Sequence, residues 1–363
     1  MNFSAADHTF MARALQLAQG GLYSTTPNPR VGCVIVRDGG VIGEAWHEQA
    51  GLPHAEINAL AKVGAGGAAK GATVYVTLEP CSHFGRTPPC ADALIAAGIA
   101  RVVVAMHDPN PLVAGQGLAK LAAAGIEVAS GLLEAEAREL NIGFISRMTR
   151  GRPWLRLKVA ASLDGKTALS NGVSQWITGP DARRDAHAWR ARSCAVLTGI
   201  GTVKDDNPRL TVRDVQTTRQ PLKVVIDSRL ETPLDAAILE GGNLLIVAAQ
   251  DNIRSAALRE RGAEIVLLPN AQGKVELADL LQELGRRGIN EVLTEAGTRL
   301  NGSLLRENCV DELLIYQAPI LVGDAARGMF GLAELTELSG ARRLNIIERR
   351  AVGADFRIRA RFA

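Results

Sequence analysis

Four residues in the N-terminal half of the chain have the types and the order that hydrolytic zinc chemistry needs. His54 and Glu56 form an H-x-E motif, and two cysteines follow, Cys81 directly after Pro80 and then Cys90. Either part alone is weak evidence, because His54 could simply begin a helix and free cysteines are usually buried and inert. Together, one imidazole and two thiolates supply three zinc ligands and leave one tetrahedral position open for water.

The role of each residue type follows from this arrangement. Zinc lowers the pKa of a bound water towards ~7, which makes hydroxide available near neutral pH. Glu56 lies two residues beyond His54, so its carboxylate can reach that water without binding the metal and can then carry protons to the ring nitrogen and to departing ammonia. The order of these residues is the signature of zinc-dependent deaminases. We therefore predict His54, Cys81 and Cys90 as zinc ligands and Glu56 as the catalytic acid and base.

Three predicted elements must place these residues. A helix over 54–63 begins at His54, a strand at 73–77 carries the chain towards Cys81, and a helix over 90–97 begins at Cys90. Strands that alternate with helices in this way predict a sheet covered by helices. The other elements predicted in this half are helices over 1–20, 115–124 and 132–149 and strands over 31–36, 41–44, 101–105 and 125–128.

A second α/β pattern begins after a visible boundary. The segment 151–153, Gly-Arg-Pro, interrupts the helical pattern, and a strand at 154–160 follows. We therefore place two domains at residues 1–148 and 149–363, each long enough to bury its own core. Further strands are predicted near 195–199, 222–227, 244–249, 264–268, 291–295 and 312–318.

The C-terminal domain lacks the G-x-G-x-x-G fingerprint of Rossmann dinucleotide-binding folds. The segment 198–202 comes closest, but it has no third glycine. The strand at 291–295 runs into Gly297 and a helix through Arg306, and the free N–H groups at such a helix start can hold a phosphate. A turn of this kind is more often ordinary punctuation between a strand and a helix, so the residues alone leave both interpretations open.

Composition argues against several other classes of protein. The net charge is only +3 and the sequence has no run of lysine or arginine, which argues against a nucleic-acid partner. No apolar stretch reaches the ~20 residues of a membrane span, and the five cysteines do not suggest a disulfide framework. We expect a cytoplasmic enzyme for a phosphorylated small molecule that forms a homo-oligomer, namely a dimer, and binds neither nucleic acid nor membrane.

The separation of the two cysteines departs from the common P-C-x-x-C pattern, because eight residues lie between Cys81 and Cys90. His83 in this insertion is a rival ligand, but only His54 brings Glu56 with it. The insertion resembles that of riboflavin-pathway pyrimidine deaminases. From about residue 4 to at least residue 330, the chain resembles the bifunctional riboflavin biosynthesis proteins, a deaminase followed by a reductase. The segments that carry this resemblance are 26–34, 54–56, 77–83, 85–90, 158–166, 174–178 and 205–213.

The resemblance implies folds, cofactors and further site residues. The implied folds are a cytidine-deaminase-like three-layer α/β domain and a dihydrofolate-reductase-like α/β domain, and the implied cofactors are Zn²⁺ and NADPH. The residues implied beside NADPH are Ala160, Trp176, Thr202, Asp206, Ser228, Gly297, Thr298, Arg299, Leu300, Asn301, Gly302 and Ser303. The residues implied beside the substrates are Asn28, which contacts the pyrimidine, and Ser174, Arg190, Leu210, Arg213 and Glu295.

The residue types support part of this assignment. Arg190 and Arg213 suit a ribose phosphate, because a guanidinium binds two oxygens at once. Lys158 and Glu295 are our candidates for polar contacts near the C1′–N bond of the sugar. Without the resemblance, Asn28 would be interpreted as a turn residue between two prolines. Arg190 could equally cover a helix surface.

The favoured hypothesis is a bifunctional enzyme. Water displaces an exocyclic amine from 2,5-diamino-6-(5-phosphoribosylamino)pyrimidin-4-one, and NADPH reduces the ribosyl group of 5-amino-6-(5-phosphoribosylamino)uracil to ribityl. The alternative is a tRNA or nucleoside deaminase with a fused domain of other function, which predicts a basic face. A zinc-stabilised binding protein without turnover would require a closed four-ligand site.

Overall fold

The protein divides into two compact units, Met1–Gly151 and Arg152–Ala363. The computed structural model describes residues 3–64, 68–82, 88–111 and 113–363. His83, the rival zinc ligand, lies outside the described residues. Within the described ranges, no helix is both long enough and apolar enough to cross a membrane.

The N-terminal unit is built on a mixed sheet. Its order among the described residues is β2-β1-β3-β4-β5, with β1 antiparallel to β2 and to β3 and the other pairs parallel. The apolar runs in the sequence explain the strands, since β1 and β3 are almost fully buried. The strands are β1 Gly32–Arg37, β2 Gly40–Trp46, β3 Thr73–Val76, β4 Arg101–Val104 and β5 Glu127–Ser130.

Helices cover both faces of this sheet. A Cβ atom on Gly32 would lie 1.9 Å from the carbonyl oxygen of Ala14 in α1, whereas a Cβ atom on Gly43 would lie 2.5 Å from that of Ala59 in α2. Gly32 and Gly43 occupy opposite faces, because Gly43 pairs with Ile35 and side chains alternate along β1. The expected three-layer domain is confirmed. The helices are α1 Ala5–Ala18, α2 Ala55–Val63, α3 Cys90–Ala96, α4 Gln116–Ala123, α5 Glu134–Leu140 and α6 Ile142–Arg150.

The single helix predicted over 132–149 is wrong, because α5 and α6 are separated at Asn141. The side chain of Asn141 is buried. Its Oδ1 accepts a hydrogen bond from the backbone N–H of Arg30 at 2.8 Å, and its Nδ2 donates to the carbonyl of Arg30 at 2.9 Å. An asparagine that hydrogen-bonds to the backbone competes with regular helix geometry, which explains the break.

The C-terminal unit, all of whose residues are described, contains a nine-stranded sheet of order β11-β10-β9-β8-β12-β6-β13-β16-β15. The pairs from β11 to β13 are parallel, and β16 and β15 continue the sheet in antiparallel fashion. The strands are β6 Trp154–Ser162, β7 Lys166–Ala168, β8 Ala195–Gly199, β9 Leu222–Ile226, β10 Leu244–Ala248, β11 Ala263–Leu267, β12 Glu291–Glu295, β13 Glu312–Ala318, β14 Arg327–Gly328, β15 Leu344–Val352 and β16 Asp355–Phe362.

Helices link the parallel strands of this unit. They are α7 Pro180–Arg192, α8 Ile200–Asp206, α9 Arg254–Glu260, α10 Leu277–Arg286 and α11 Thr298–Arg306. Because β9, β8, β12 and β6 are parallel neighbours, their carboxyl ends meet at one edge of the sheet. Open α/β sheets bind ligands at this edge.

Candidate functional site

Three segments of the N-terminal unit bring His54, Cys81 and Cys90 together. His54 immediately precedes α2, Cys81 lies in the loop that follows β3, and Cys90 is the first residue of α3. His54 Nδ1 lies 3.6 Å from Cys81 Sγ and 3.3 Å from Cys90 Sγ. The ligand atoms all lie within 4.8 Å of one another. The predicted metal ligands therefore form one cluster.

The cluster fits tetrahedral zinc. Ordinary Zn–N and Zn–S bond lengths place a nitrogen and a sulfur ligand about 3.5 Å apart, close to the His54–cysteine distances. Hydrogen bonds from the Cys90 thiol, from His54 and from the backbone N–H of Cys90 lower the pKa of Cys81 to about 4, against the effect of burial. The thiolate that results is the form that binds zinc.

Glu56 lies in the first turn of α2, on the cluster side. Its side chain is buried, and this burial raises the pKa of Glu56 to about 7, although the neighbouring His54 opposes the change. A carboxyl group with a pKa near neutrality can both accept and donate a proton at physiological pH, as a general acid and base must.

Asn28 is held by His47, a residue that the sequence analysis missed. Asn28 lies in the turn before β1, and its Nδ2 is 3.0 Å from His47 Nε2. The other ring nitrogen of His47, Nδ1, is 3.1 Å from the carbonyl oxygen of Pro53. The His47 ring meets the His54 ring edge-on, with centroids 5.3 Å apart, and burial lowers the pKa of His47. A histidine directly after a strand, a few residues before a metal ligand, was the available signal.

Glu79 is a second residue whose function the sequence analysis missed. This buried carboxylate accepts hydrogen bonds from the backbone N–H groups of Asp108 at 3.1 Å, Gly115 at 3.0 Å and Gly117 at 2.9 Å. It lies two residues before Cys81. Glu79 therefore fastens residues around the start of α4 to the loop that carries a metal ligand.

In the C-terminal unit, sheet register brings Lys158 and Glu295 together. The two residues pair directly across β6 and β12, and Lys158 Nζ lies 3.5 Å from Glu295 Oε2. Both oxygens of Glu295 also accept hydrogen bonds from the guanidinium of Arg190. These two cations lower the pKa of Glu295 to about 2, although burial opposes the change.

The proposed substrate residues of this unit differ in availability. The guanidinium of Arg190 is occupied by Glu295 and by the carbonyl of Thr211 at 3.1 Å, which favours a positioning role over direct phosphate binding. Arg213 is exposed at the end of the same loop. The Leu210 side chain packs in the core and its φ is 53°, so only its backbone can face a ligand.

Four of the residues implied beside NADPH lie near or after the carboxyl ends of the central parallel strands. Ala160 is near the end of β6, Thr202 lies in α8 directly after β8, and Ser228 follows β9. A Cβ atom on Gly297, after β12, would lie 4.0 Å from Thr202 Oγ1. The edge thus brings together residues that are far apart in the sequence.

Three further candidates lie in the segments that follow β7 and β8 in the chain. Ser174 Oγ donates to Asp206 Oδ1 at 3.4 Å, which brings a substrate candidate and a cofactor candidate together. Trp176 is 68% exposed, and the guanidinium of Arg183 lies 4.5 Å from the centre of its ring. A large exposed aromatic surface suits contact with a planar group.

The start of α11 fits a phosphate. Its first turn has no side-chain cap, and Gly297 and Arg299 are exposed there. Free N–H groups at such a helix start attract anions. Asn301 and Gly302, further along, are buried against the 329–331 segment, so they support the turn. Thr298, Leu300 and Ser303 are partly buried.

Two family models match the chain. The model of the RibD C-terminal domain matches residues 153–357, and that of the cytidine and deoxycytidylate deaminase zinc-binding region matches residues 4–106. With the structural neighbours described next, they confirm the expected deaminase-like and dihydrofolate-reductase-like folds.

Relatives resemble the chain over nearly its whole length. The riboflavin biosynthesis protein RibD of Escherichia coli is 50% identical and the alignment covers 96% of this chain and 97% of the relative. A structure of Acinetobacter baumannii RibD has a TM-score of 0.91 at 45% identity, covering 99% of both chains. A Thermotoga maritima diaminohydroxyphosphoribosylaminopyrimidine deaminase/5-amino-6-(5-phosphoribosylamino)uracil reductase has a TM-score of 0.88 at 34% identity, covering 99% of both chains. The chain therefore belongs to the RibD family of riboflavin biosynthesis proteins, in which a deaminase and a reductase share one polypeptide.

Proposed function

We propose that the chain catalyses two successive steps of riboflavin biosynthesis. Residues 1–148 deaminate 2,5-diamino-6-(5-phosphoribosylamino)pyrimidin-4-one with Zn²⁺, and residues 149–363 reduce the ribosyl group of 5-amino-6-(5-phosphoribosylamino)uracil with NADPH. The observation that carries the first step is the three-ligand cluster with a buried carboxyl group beside it. Family membership over both halves disfavours a nucleoside or tRNA deaminase with an unrelated fused domain.

In the deaminase domain, His54, Cys81 and Cys90 hold the zinc ion and Glu56 moves protons. Zinc, when bound, makes a water molecule nucleophilic. Glu56 accepts the first proton of the attacking water and donates it to the ring nitrogen. It then takes the second proton, from the hydroxyl group formed on the attacked carbon, and gives it to the amine, which leaves as ammonia when the C–N bond breaks. Asn28 orients the pyrimidine ring for this attack.

In the reductase domain, the substrate lies over the Lys158–Glu295 pair. NADPH, when bound, supplies a hydride. Arg213 binds the substrate phosphate, since its exposed guanidinium has the geometry for two oxygens. Arg190 holds Glu295 in place and closes the same side of the site. Ser174 and the backbone of Leu210 contact the rest of the substrate.

The cofactor lies across the carboxyl edge of the sheet. The turn at the start of α11 binds its phosphates, because uncapped N–H groups favour anions. The proposed cofactor residues are Ala160, Trp176, Thr202, Asp206, Ser228, Gly297, Thr298, Arg299, Leu300, Asn301, Gly302 and Ser303.

The decisive experiment supplies the zinc-loaded chain with the diaminopyrimidine phosphate and follows ammonia and NADPH together. We expect equal amounts of ammonia released and NADPH oxidised. Glu56→Gln should abolish ammonia release but keep its zinc and oxidise NADPH when deaminated substrate is supplied. Glu48→Gln, a change at an exposed position, is the matched control. Full ammonia release by Glu56→Gln would remove Glu56 from the mechanism.

We also propose that the chain is a cytoplasmic homodimer without nucleic-acid partners. An edge strand, β15, supports the dimer, because it exposes Ile346 and Ile347 by 65% and 42% beside an open row of backbone groups. Five cysteines that form no disulfide among the described residues support the cytoplasmic location, and the net charge of only +3 supports the lack of nucleic-acid partners. Ile346→Lys should yield monomers in light scattering, whereas Leu338→Lys, a change at an exposed position outside β15, should not. A dimeric Ile346→Lys variant would exclude this edge.

A further inference from the structure

His47 lies beside the deaminase cluster, with its ring against that of His54, and is not one of the three clustered ligands. Its side chain is buried. The backbone N–H of His47 donates to the carbonyl of Val31 at 2.9 Å, which continues the pairing of β1 with β2 by one residue. This pairing places the turn that contains Asn28 against the His47 ring.

The contacts of the ring determine which nitrogen carries hydrogen. The Pro53 carbonyl, 3.1 Å from Nδ1, can only accept a hydrogen bond, so Nδ1 carries the hydrogen. Neither Pro53 nor Asn28, the two partners of the ring nitrogens, is a carboxylate, and a buried cation without such a partner is costly. In the neutral ring, Nε2 then carries no hydrogen and can only accept a hydrogen bond.

This tautomer fixes the orientation of the Asn28 amide. Because Nε2 of His47 can only accept, Asn28 must turn its Nδ2 group towards the ring, at 3.0 Å. Its Oδ1 then points away from His47 and has no hydrogen-bond partner among the described residues. A carbonyl oxygen held in this way is ready to accept a hydrogen bond from a ligand.

The same contacts tie Asn28 to the metal ligand. The Pro53 carbonyl also accepts a hydrogen bond from Asn58 Nδ2 at 3.3 Å, so the residue directly before His54 is held from two sides. The continuous path from Asn28 through His47 and Pro53 to His54 fixes the position of the amide relative to the metal.

We propose that His47 is a positioning residue that presents the Asn28 carbonyl oxygen to an N–H group of an aminopyrimidine. The proposal rests on the proposed deaminase function, in which Asn28 contacts the pyrimidine. Amino groups and ring N–H groups of such a substrate are hydrogen-bond donors, and an acceptor at Asn28 selects for them. A ring that offers only acceptors at this position would leave the carbonyl unpaired.

A spectroscopic test examines the tautomer without any turnover. Zinc-loaded full-length chain labelled with ¹⁵N in histidine is examined by long-range ¹H–¹⁵N NMR at pH 7.5, and the His47 signals are assigned by their absence in His47→Phe. We expect hydrogen on Nδ1 and none on Nε2. A ring of His47 that carries its hydrogen on Nε2 would overturn the proposal, because Asn28 would then have to accept from it.

A kinetic test examines the consequence for the substrate. His47→Phe keeps a ring but loses both hydrogen bonds, and we expect the deaminase KM to rise about 10- to 100-fold with full zinc content and unchanged reductase activity, which reports that the chain is folded. His47→Gln offers an acceptor near the position of Nε2 and should recover part of the loss. An unchanged KM in His47→Phe, or equal losses in both variants, would contradict the proposal.

A double-mutant cycle separates this role from a merely structural one. If His47 acts through Asn28, the Asn28→Ala/His47→Phe variant should have the same KM as Asn28→Ala alone. Additive losses would show that His47 acts independently and would overturn the proposal. Failure of the wild-type chain to release ammonia would instead refute the proposed function. Normal ammonia release with an unchanged KM in Asn28→Ala would refute only the positioning role.

Discussion

Replacing Glu79 with glutamine tests how strongly one carboxylate holds the deaminase site together. Oε2 accepts from the N–H groups of Asp108 and Gly115, and Oε1 accepts from those of Gly117 and, at 3.4 Å, Leu118. In Glu79→Gln, one oxygen becomes an NH₂ group that faces backbone donors in either orientation of the amide. Two backbone N–H groups would therefore lose their acceptor in either orientation, those of Gly117 and Leu118 or those of Asp108 and Gly115.

Each unsatisfied buried donor costs about 1–3 kcal/mol, so we expect the free energy of unfolding of the N-terminal unit to fall by about 2–5 kcal/mol in Glu79→Gln. With a urea m value of about 2 kcal/mol/M, the midpoint should move down by roughly 1–2.5 M. This is a large part of the ~5–15 kcal/mol that stabilises a typical domain. The deaminase should therefore lose zinc and activity at much lower urea concentrations than the wild type.

The assay is urea unfolding of the zinc-loaded chain, in which zinc release reports the N-terminal unit and NADPH oxidation reports the C-terminal unit. Glu136→Gln is the matched control, because Glu136 is exposed and such changes usually shift stability by less than ~0.5 kcal/mol. A midpoint of zinc release in Glu79→Gln within about 0.3 M of the wild type would refute the reasoning, because the N–H groups would then have found other acceptors.

Three further predictions concern single groups. Cys81→Ser should lower the bound zinc measured by atomic absorption, since a hydroxyl is a weaker ligand than a thiolate, and a stoichiometric zinc content would remove Cys81 from the site. Arg213→Gln should raise the reductase KM about 10- to 100-fold with little change in kcat, whereas the exposed Arg209→Gln should not; equal KM values would exclude a phosphate contact at Arg213. Because the pKa of Glu295 is lowered to about 2, the stabilisation from this group is complete above its unfolded pKa of about 4.5 and is lost as the pH falls towards 2. Acid unfolding followed by circular dichroism should therefore be shallower in Glu295→Gln over that window, and parallel curves would show that the pair contributes nothing.

The sequence predicted the metal cluster well because its chemistry is local. Apolar spacing predicted three elements, and the structure contains all of them. They are the helix next to His54, the strand that precedes Cys81 and the helix that begins at Cys90. Ligand types alone determine the metal chemistry once these starts are known. The hydrogen-bond partners of His47 and Glu79 could not be predicted, because they come from segments that meet only in the folded chain.

The reductase site was harder to predict for a physical reason. Most of the parallel strands were visible as apolar runs, but the order of the strands in the sheet was not, and the site exists only where β6, β8, β9 and β12 become neighbours. The β15–β16 hairpin was not predicted, because its strands mix arginines with apolar residues and β15 is mostly exposed. The resemblance to a family supplied what spacing could not.

The direct pairing of Lys158 with Glu295 has a consequence for how activity is acquired during folding. The two residues are separated by most of the C-terminal unit in sequence, and their contact depends on the register of β6 with β12. Contacts between distant segments carry a large loop-closure entropy and form slowly. A slip of one residue would turn the Glu295 side chain to the opposite face of the sheet. We therefore expect reductase activity to appear after most helices have formed, once the central strands have reached native register. The recovery of reductase activity during refolding would then report this last ordering step.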